Sequence, residues 1–358
     1  MIYLLSFIAS FLLSLILTFA IIKLAKRWHI MDKPDKERKI HVKPTPLLGG
    51  VAIFLAMAVV MFFVKDRLIA GELEYHHWIG VLIGALFLII GGILDDKYDL
   101  SPKYQIIWPV LAVVSVILGG VGIEKITNPF GDFLYLDQIK FPLLAWAGQM
   151  HYFVLIADCF TILWLMGMIY TTKLLDGLDG LVGGVAAIGS LIIFLFTITT
   201  KYYQPDIALA ALILVGACFG FLILNWHPAK IFLGSTGSMF LGFILGVLSI
   251  ISGGKIAIAL LIMGIPILDV VWTILRRLRA GKNPFKHADR KHLHFRMLDT
   301  GLGTRKTVLI YYMLAVVFGL SALFLQSRGK LVSLVALSAI MIGIIIIFAY
   351  LDKKSKTV

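Results

Sequence analysis

Along this chain the polar positions crowd into short intervals. Between them lie eleven apolar runs, near residues 2–24, 48–64, 78–94, 104–123, 153–170, 180–199, 206–224, 235–252, 256–275, 307–326 and 331–350. A bilayer core about 30 Å thick needs roughly 20 apolar helical residues to cross it. The pattern predicts an all-α polytopic membrane protein of about eleven transmembrane helices, forming a single domain over residues 1–358. No internal repeat stands out, and no interval is long enough for a second domain. Any chemistry must therefore sit in loops and helix ends.

Composition agrees, since a chain that is 60% hydrophobic and 15% charged cannot cover a soluble globule with polar surface. The opening stretch "MIYLLSFIASFLLSLILTFAIIKLAKRW" has no charged side chain before Lys23 and then turns basic. It reads as a first span with the N-terminus outside, not as a cleaved signal. Eleven spans then put the C-terminus in the cytoplasm, together with loops at about 25–47, 95–103, 171–179, 225–234 and 276–306. These loops and the tail from 351 hold 24 of the 33 Lys and Arg residues, against 8 in the outer loops. That skew supports the orientation. The net charge of +13 is thus concentrated on one face, where it suits anionic headgroups or a phosphorylated substrate. Nucleic acid is a poor partner, because no soluble domain exists to present it. Cys159 and Cys218 both fall in spans, which excludes a disulfide framework or a CxxC metal site.

The predicted topology brings "GGILDDKYDLSPK" (91–103) and "LLDGLDGL" (174–181) into one cytoplasmic layer. Asp95, Asp96, Asp176 and Asp179 then share a membrane face. Clustered carboxylates raise one another's pKa unless a cation shares the site, so the group is a functional candidate. Asp176 and Asp179 would lie on one helical face if their turn is helical, and Gly177 and Gly180 allow a ligand or backbone to approach. Three more stretches point to phosphate. "NWHPAKIFLGSTGSMFLG" (225–242) runs through a Gly/Ser turn into a span, leaving unpaired N–H groups as an anion seat. "HADRKHLHFRML" (287–298) gathers His287, Arg290, Lys291, His292, His294 and Arg296. "DKPDKERKIHVKPTPLLGG" (32–50), with His41, adds a second basic loop. His292 and His294 would share a face only in extended structure, so a zinc pair is not expected without a third ligand. Asp269 is an intramembrane acid about two turns before Arg276 and Arg277, a candidate that either meets substrate or orients the basic loop. Asp158 belongs to the outer interface. The lack of a Walker A sequence argues against an ATP-driven pump.

In their order and in these loops, "DKPDKERKIHVKPTP" with "LGG", "ILDDKYDLSPK", "LLDGLDGL", "NWHPAKIFLG" with "TGS", "IPILD" and "ADRKHLHFR" resemble the polyprenyl-phosphate N-acetylhexosamine-1-phosphate transferases. The "HLH" loop is similar to the WecA and TagO branch of the superfamily that also contains MraY. The resemblance covers essentially the whole chain. It implies transfer of a sugar 1-phosphate, with N-acetylglucosamine the expected sugar, from a UDP-sugar to undecaprenyl phosphate, with release of UMP. The setting it implies is the cytoplasmic face of a bacterial plasma membrane. It further implies Mg²⁺, or Mn²⁺, as cofactor. Asp95 and Asp96 are assigned to the reaction centre, and Asp176 and Asp179 to the nucleotide and loop frame. Lys103 is assigned to the diphosphate; Asn225, Asp269, Arg290, His292, His294, Arg296 and His41 are assigned to substrate. Whether the chain forms a homodimer is left open.

The chain also departs from that family. Leu47 stands for the usual Arg of "PTPRxGG", Tyr170 and Lys173 stand for two Asn residues, and Ser235 stands for the Asp of "FxGDxGS". Lys173 and Ser235 occupy the family's expected metal-ligand positions, so weak Mg²⁺ binding and slow or absent transfer are expected. The alternatives are a metal shifted to the four aspartates or metal-independent chemistry. A catalytically impaired relative that binds polyprenyl phosphate or scaffolds envelope enzymes is the second function class. A flippase or transporter is the third, and it would instead place charged groups near mid-membrane.

Overall fold

A computed structural model describes residues 1–34, 43–69, 71, 73–128, 130–146, 149–199, 203–253, 256–281 and 292–354. Its helices are α1 (Ile2–Arg27), α2 (Gly49–Phe63), α3 (Tyr75–Tyr98), α4 (Pro102–Gln105), α5 (Ile107–Leu118), α6 (Leu155–Leu175) and α7 (Leu181–Thr199). They continue with α8 (Pro205–Asn225), α9 (Gly234–Ile251), α10 (Ile256–Ile262), α11 (Gly264–Arg279), α12 (Leu293–Asp299), α13 (Thr304–Phe324) and α14 (Ser327–Lys354). Every apolar run of the sequence is helical. Among the described residues, eight helices are long and apolar enough to cross a membrane, or nine with α10 and α11 taken as one bent span. The runs at 48–64 and 104–123 form shorter apolar helices, Gly49–Phe63 and Pro102–Leu118.

The run at 256–275 is broken, with α10 and α11 meeting at 78°. Pro266 accounts for the break. It has no N–H for the carbonyl of Ile262, four residues back, and its ring crowds that carbonyl. A second difference lies between α5 and α6, an interval that the apolar pattern treats as a plain outer loop. There β3 (Lys125–Thr127) pairs antiparallel with β4 (Phe133–Tyr135), and β5 (Lys140–Trp146) with β6 (Gln149–Val154). Nothing in a helical period reveals such short strands. A third two-stranded ladder, β1 (Met31–Asp32) with β2 (Thr45–Pro46), pins the base of the first basic loop.

Small residues bring the helices together. α1 buries Ser6, Ser10, Ser14 and Thr18 on one stripe at a spacing of four and lays it on α8, where Ser14 Oγ donates to the carbonyl of Ala217 at 2.7 Å. Without water to expel, helices in lipid associate through such close packing and interhelical hydrogen bonds. α7, α8 and α9 form the enclosed centre, while α1, α13 and α14 expose large apolar side chains outward. Backbone bonds knit one end of the bundle. Gly49 and Gly50 N–H at the start of α2 donate to the carbonyls of Phe232 and Leu233, and Phe232 N–H donates to Pro46. The ends of α3, α6 and α8 and the starts of α2, α7 and α9 therefore share a layer.

Candidate functional site

Asp95 and Asp96 are consecutive in the last turn of α3, so they point about 100° apart around the axis and meet different neighbours. The sequence reading treats residues 95–103 as a solvent-facing loop; instead Asp95 and Asp96 lie in the helix, Asp95 only 8% exposed and Asp96 half-buried. Its Oδ1 accepts from Gln105 Nε2 at 2.8 Å. Its Oδ2 accepts from Lys173 Nζ at 3.0 Å and from Ser235 Oγ at 2.6 Å. Lys173, in the last turn of α6, donates a second bond to Gln105 Oε1 at 3.0 Å. Pro102 starts the short helix α4 that carries Gln105 back toward α3, and Gln105 Nε2 also donates to the carbonyl of Leu100.

Asp96 faces α9. Its Oδ1 accepts from Ser235 N–H at 2.8 Å, and its Oδ2 from Thr236 Oγ1 at 3.3 Å with Thr236 N–H at 3.4 Å. The helix N-terminus predicted as an anion seat is thus filled by the chain's own carboxylate, as the partial positive charge there favours. Gly234 makes this approach available. It has φ +73°, and a Cβ on it would lie 2.4 Å from Asp96 Oδ2.

The turn between α6 and α7 is not helical, so Asp176 and Asp179 do not share a helical face. Asp176 follows the last residue of α6 and is half-buried. Burial, then the negative charges of Asp96, Asp179 and Asp32, push its carboxyl up to about 8. Asp179 turns to the next loop, accepting from His227 Nδ1 at 2.6 Å and from Ala229 N–H at 3.1 Å. Asn225, assigned to substrate in the sequence, acts as a strut in this structure. Its Oδ1 accepts from Gly180 N–H at 3.0 Å and its Nδ2 donates to the carbonyl of Ile231 at 2.8 Å, both buried. Tyr312 and Arg305 add bonds to the carbonyls of Gly180 and His227 from α13.

The second cluster hangs on Asp269 in α11. This buried acid accepts from His292 Nδ1 at 2.8 Å and from Leu293 N–H at 3.0 Å. Each oxygen thus holds one donor of the 292–293 segment, so Asp269 orients the start of α12. His292 is extended and caps α12; His294 is already helical. This half-extended start lets the two rings stack at 5.8 Å and 7°, which a wholly helical i, i+2 pair would not allow. His294 is fully buried, and neither ring nitrogen meets a hydrogen-bond partner among the described residues. Burial outweighs the pull of Asp269 and drives its pKa down to about 3, so the ring is neutral. What comes close to Gly177 is this imidazole: a Cβ at position 177 would lie 2.5 Å from His294 Nε2. Lys103 is exposed on α4, and Arg296 is half-buried on α12. His41 and Arg290 lie outside the described residues. Gln105, Thr236 and His227 belong to the site but were not singled out from the sequence. Thr236 and His227 sit inside the quoted motifs, whereas Gln105 carries no sequence signal.

Magnesium wants about six oxygen ligands near 2.0–2.1 Å, and this donor set does not fit it. Both oxygens of Asp95 and of Asp96 accept hydrogen bonds from the protein, and one of the donors is an ammonium. Among the described residues no three His, Cys, Asp or Glu side chains gather into a metal-holding group.

Comparison with known proteins adds the following. Residues 78–253 match the model of glycosyl transferase family 4. The chain is 32% identical over 350 residues to a probable undecaprenyl-phosphate N-acetylglucosaminyl 1-phosphate transferase of Bacillus subtilis, covering 96% of this chain and 89% of that protein. It is 30% identical over 344 residues to a decaprenyl-phosphate N-acetylglucosaminephosphotransferase of Mycobacterium tuberculosis, covering 87% and 79%. It is 30% identical over 342 residues to an undecaprenyl-phosphate alpha-N-acetylglucosaminyl 1-phosphate transferase of Escherichia coli K12, covering 90% and 82%.

Proposed function

The chain belongs to glycosyl transferase family 4, and we propose that it transfers N-acetylglucosamine 1-phosphate from UDP-N-acetylglucosamine to a polyprenyl phosphate, with undecaprenyl phosphate as the acceptor. An oxygen of the lipid phosphate attacks the phosphorus that carries the sugar. The bond from that phosphorus to the UMP phosphate breaks, and UMP leaves. The product is undecaprenyl-diphospho-N-acetylglucosamine. One substrate is dissolved in the membrane and the other in water, so they meet only at the interface. An active layer at one end of a helical bundle suits this requirement. The skew of Lys and Arg supports the cytoplasmic face of a bacterial plasma membrane for that layer.

The observation that carries the reading is the convergence of Asp95, Asp96, Lys173 and Ser235 from three helices at one end of the bundle. Such transfer needs alignment and charge neutralisation more than covalent work. The last proton of a phosphate monoester has a pKa near 6, so at neutral pH the nucleophile is already largely deprotonated and needs positioning. Asp96 fixes the start of α9. The loop holding Asp176 and Asp179 is strapped by Asn225, His227 and Tyr312, and it forms one wall of the nucleotide site. The Asp269–His292 pair and buried His294 shape the wall that meets the sugar. The test is UMP release by purified protein supplied with UDP-N-acetylglucosamine and undecaprenyl phosphate. Release that depends on both substrates is expected, and none under any condition rejects the reading. One observation favours a second reading, a relative that holds polyprenyl phosphate without turning it over. The ion pair of Lys173 closes Asp95 off. The same assay separates the two.

A further inference from the structure

A site where one phosphate displaces another has to gather positive charge, and divalent ions are the usual means. Here the acid at the centre of the layer already carries a cation. Lys173 Nζ lies 3.0 Å from Asp95 Oδ2 and 3.0 Å from Gln105 Oε1. Gln105 Nε2 and Ser235 Oγ complete the donors to Asp95, so four helices converge around a single ammonium, whose own acceptors are Asp95 Oδ2 and Gln105 Oε1. An ammonium has three protons, and these two acceptors use two of them. The side chain is 19% exposed beside an acid that is 8% exposed, so it is enclosed but not sealed. Among the described residues the third proton meets no acceptor, which leaves it to a phosphate oxygen in the proposal below.

The substitutions are complementary. A carboxylate at 235 would add a third acid to Asp95 and Asp96, whereas the serine hydroxyl donates to Asp95 at 2.6 Å. A neutral amide at 173 would leave the acid pair without its counter-charge. Lysine and serine thus balance the same charge that a metal ion with extra oxygen ligands would balance.

We propose that Lys173 is the resident cation of this site and contacts the diphosphate of the nucleotide sugar in place of a divalent metal ion. The inference rests on the transferase reading above. Its test is calorimetric titration of UDP into the full-length protein in detergent, with EDTA and with excess Mg²⁺, alongside electron paramagnetic resonance of added Mn²⁺. UDP affinity of the parent is expected to differ by no more than about twofold between EDTA and Mg²⁺. Lys173→Gln weakens it by roughly tenfold or more, the order expected for loss of a charge-assisted hydrogen bond, while Lys173→Arg retains most of it. The parent leaves Mn²⁺ free in solution, and Lys173→Asn combined with Ser235→Asp binds it. Should Lys173→Gln fail to fold, the parent's response to Mg²⁺ and Mn²⁺ decides alone. A tenfold gain in UDP affinity with Mg²⁺, no UDP binding under either condition, or Mn²⁺ bound by the parent and released by Asp95→Asn would overturn the proposal. Neither readout needs turnover. A protein that binds UDP without metal but never releases UMP refutes the transferase reading alone. One that releases UMP only with metal refutes the cation alone.

Discussion

Two adjacent carboxylates in one helical turn are held by different partners, an ammonium for Asp95 and backbone N–H groups for Asp96, and their variants should behave differently. Asp96 sits on backbone N–H groups at the start of α9, so Asp96→Asn places an amide donor against donors. Loss of most UMP release with a stability cost of about 1 kcal/mol is expected. Asp95→Asn removes the counter-charge of an enclosed lysine, which costs roughly 3 kcal/mol as well as activity. Thermal unfolding in detergent beside the transfer assay checks both. Equal melting temperatures for the two variants would refute this division. Asp176 gives a pH signature. Its carboxyl is pushed up to about 8, so the folded state holds a proton that the unfolded chain releases in the ordinary carboxylate range. The stability it contributes is complete below about pH 4 and is lost as pH rises to about 8. Asp176→Asn should flatten that fall between pH 5 and pH 8, by on the order of a few degrees in melting temperature. A parent whose melting temperature rises over that window would contradict the assignment.

At the scale of elements, the apolar pattern announces each long helix because one periodicity, sustained over roughly 20 residues, leaves no competing structure in lipid. The β-hairpins of residues 125–154 are invisible to that pattern, being strands of three to seven residues held by pairing rather than by burial period. The four aspartates were also legible, because acids beside apolar runs stand out. Their partners were not. Gln105 acquires its role only when α4 turns it back onto Asp95 and Lys173, and Asn225 turns out to brace two loops because its neighbours in space are backbone groups. The histidine loop tests this view. His294 packs fully buried beside Gly177, so truncation acts through the turn that carries Asp176 and Asp179. His294→Ala should raise the KM for UDP-N-acetylglucosamine more than it lowers kcat, and it should leave the KM for undecaprenyl phosphate nearly unchanged. An unmoved nucleotide-sugar KM removes this loop from the site.

For the whole molecule, the distribution of basic residues predicts the orientation, and exposed positions allow a direct check. Lys97 and Lys230 are exposed at the end of the bundle that holds the site, and Lys140 is exposed on the hairpins at the other. In a background without Cys159 and Cys218, a single cysteine at 97 or 230 should react with an impermeant thiol reagent only in inside-out vesicles. One at 140 should react only from the outside. Any exchange between the two faces ends the proposed topology. The Lys173–Asp95–Ser235 contact has one further consequence, for how such a chain changes over generations. Replacing Lys173 by Asn alone leaves two neighbouring acids without a counter-charge, and replacing Ser235 by Asp alone adds a third acid. On the proposal above, each single step crosses a valley, and the pair together is what should reach a metal-binding arrangement. A chain that carries this lysine would then be held there by selection against the intermediates. On the proposal above, its independence of metal ions in the environment becomes an inherited trait that a single point mutation does not reverse.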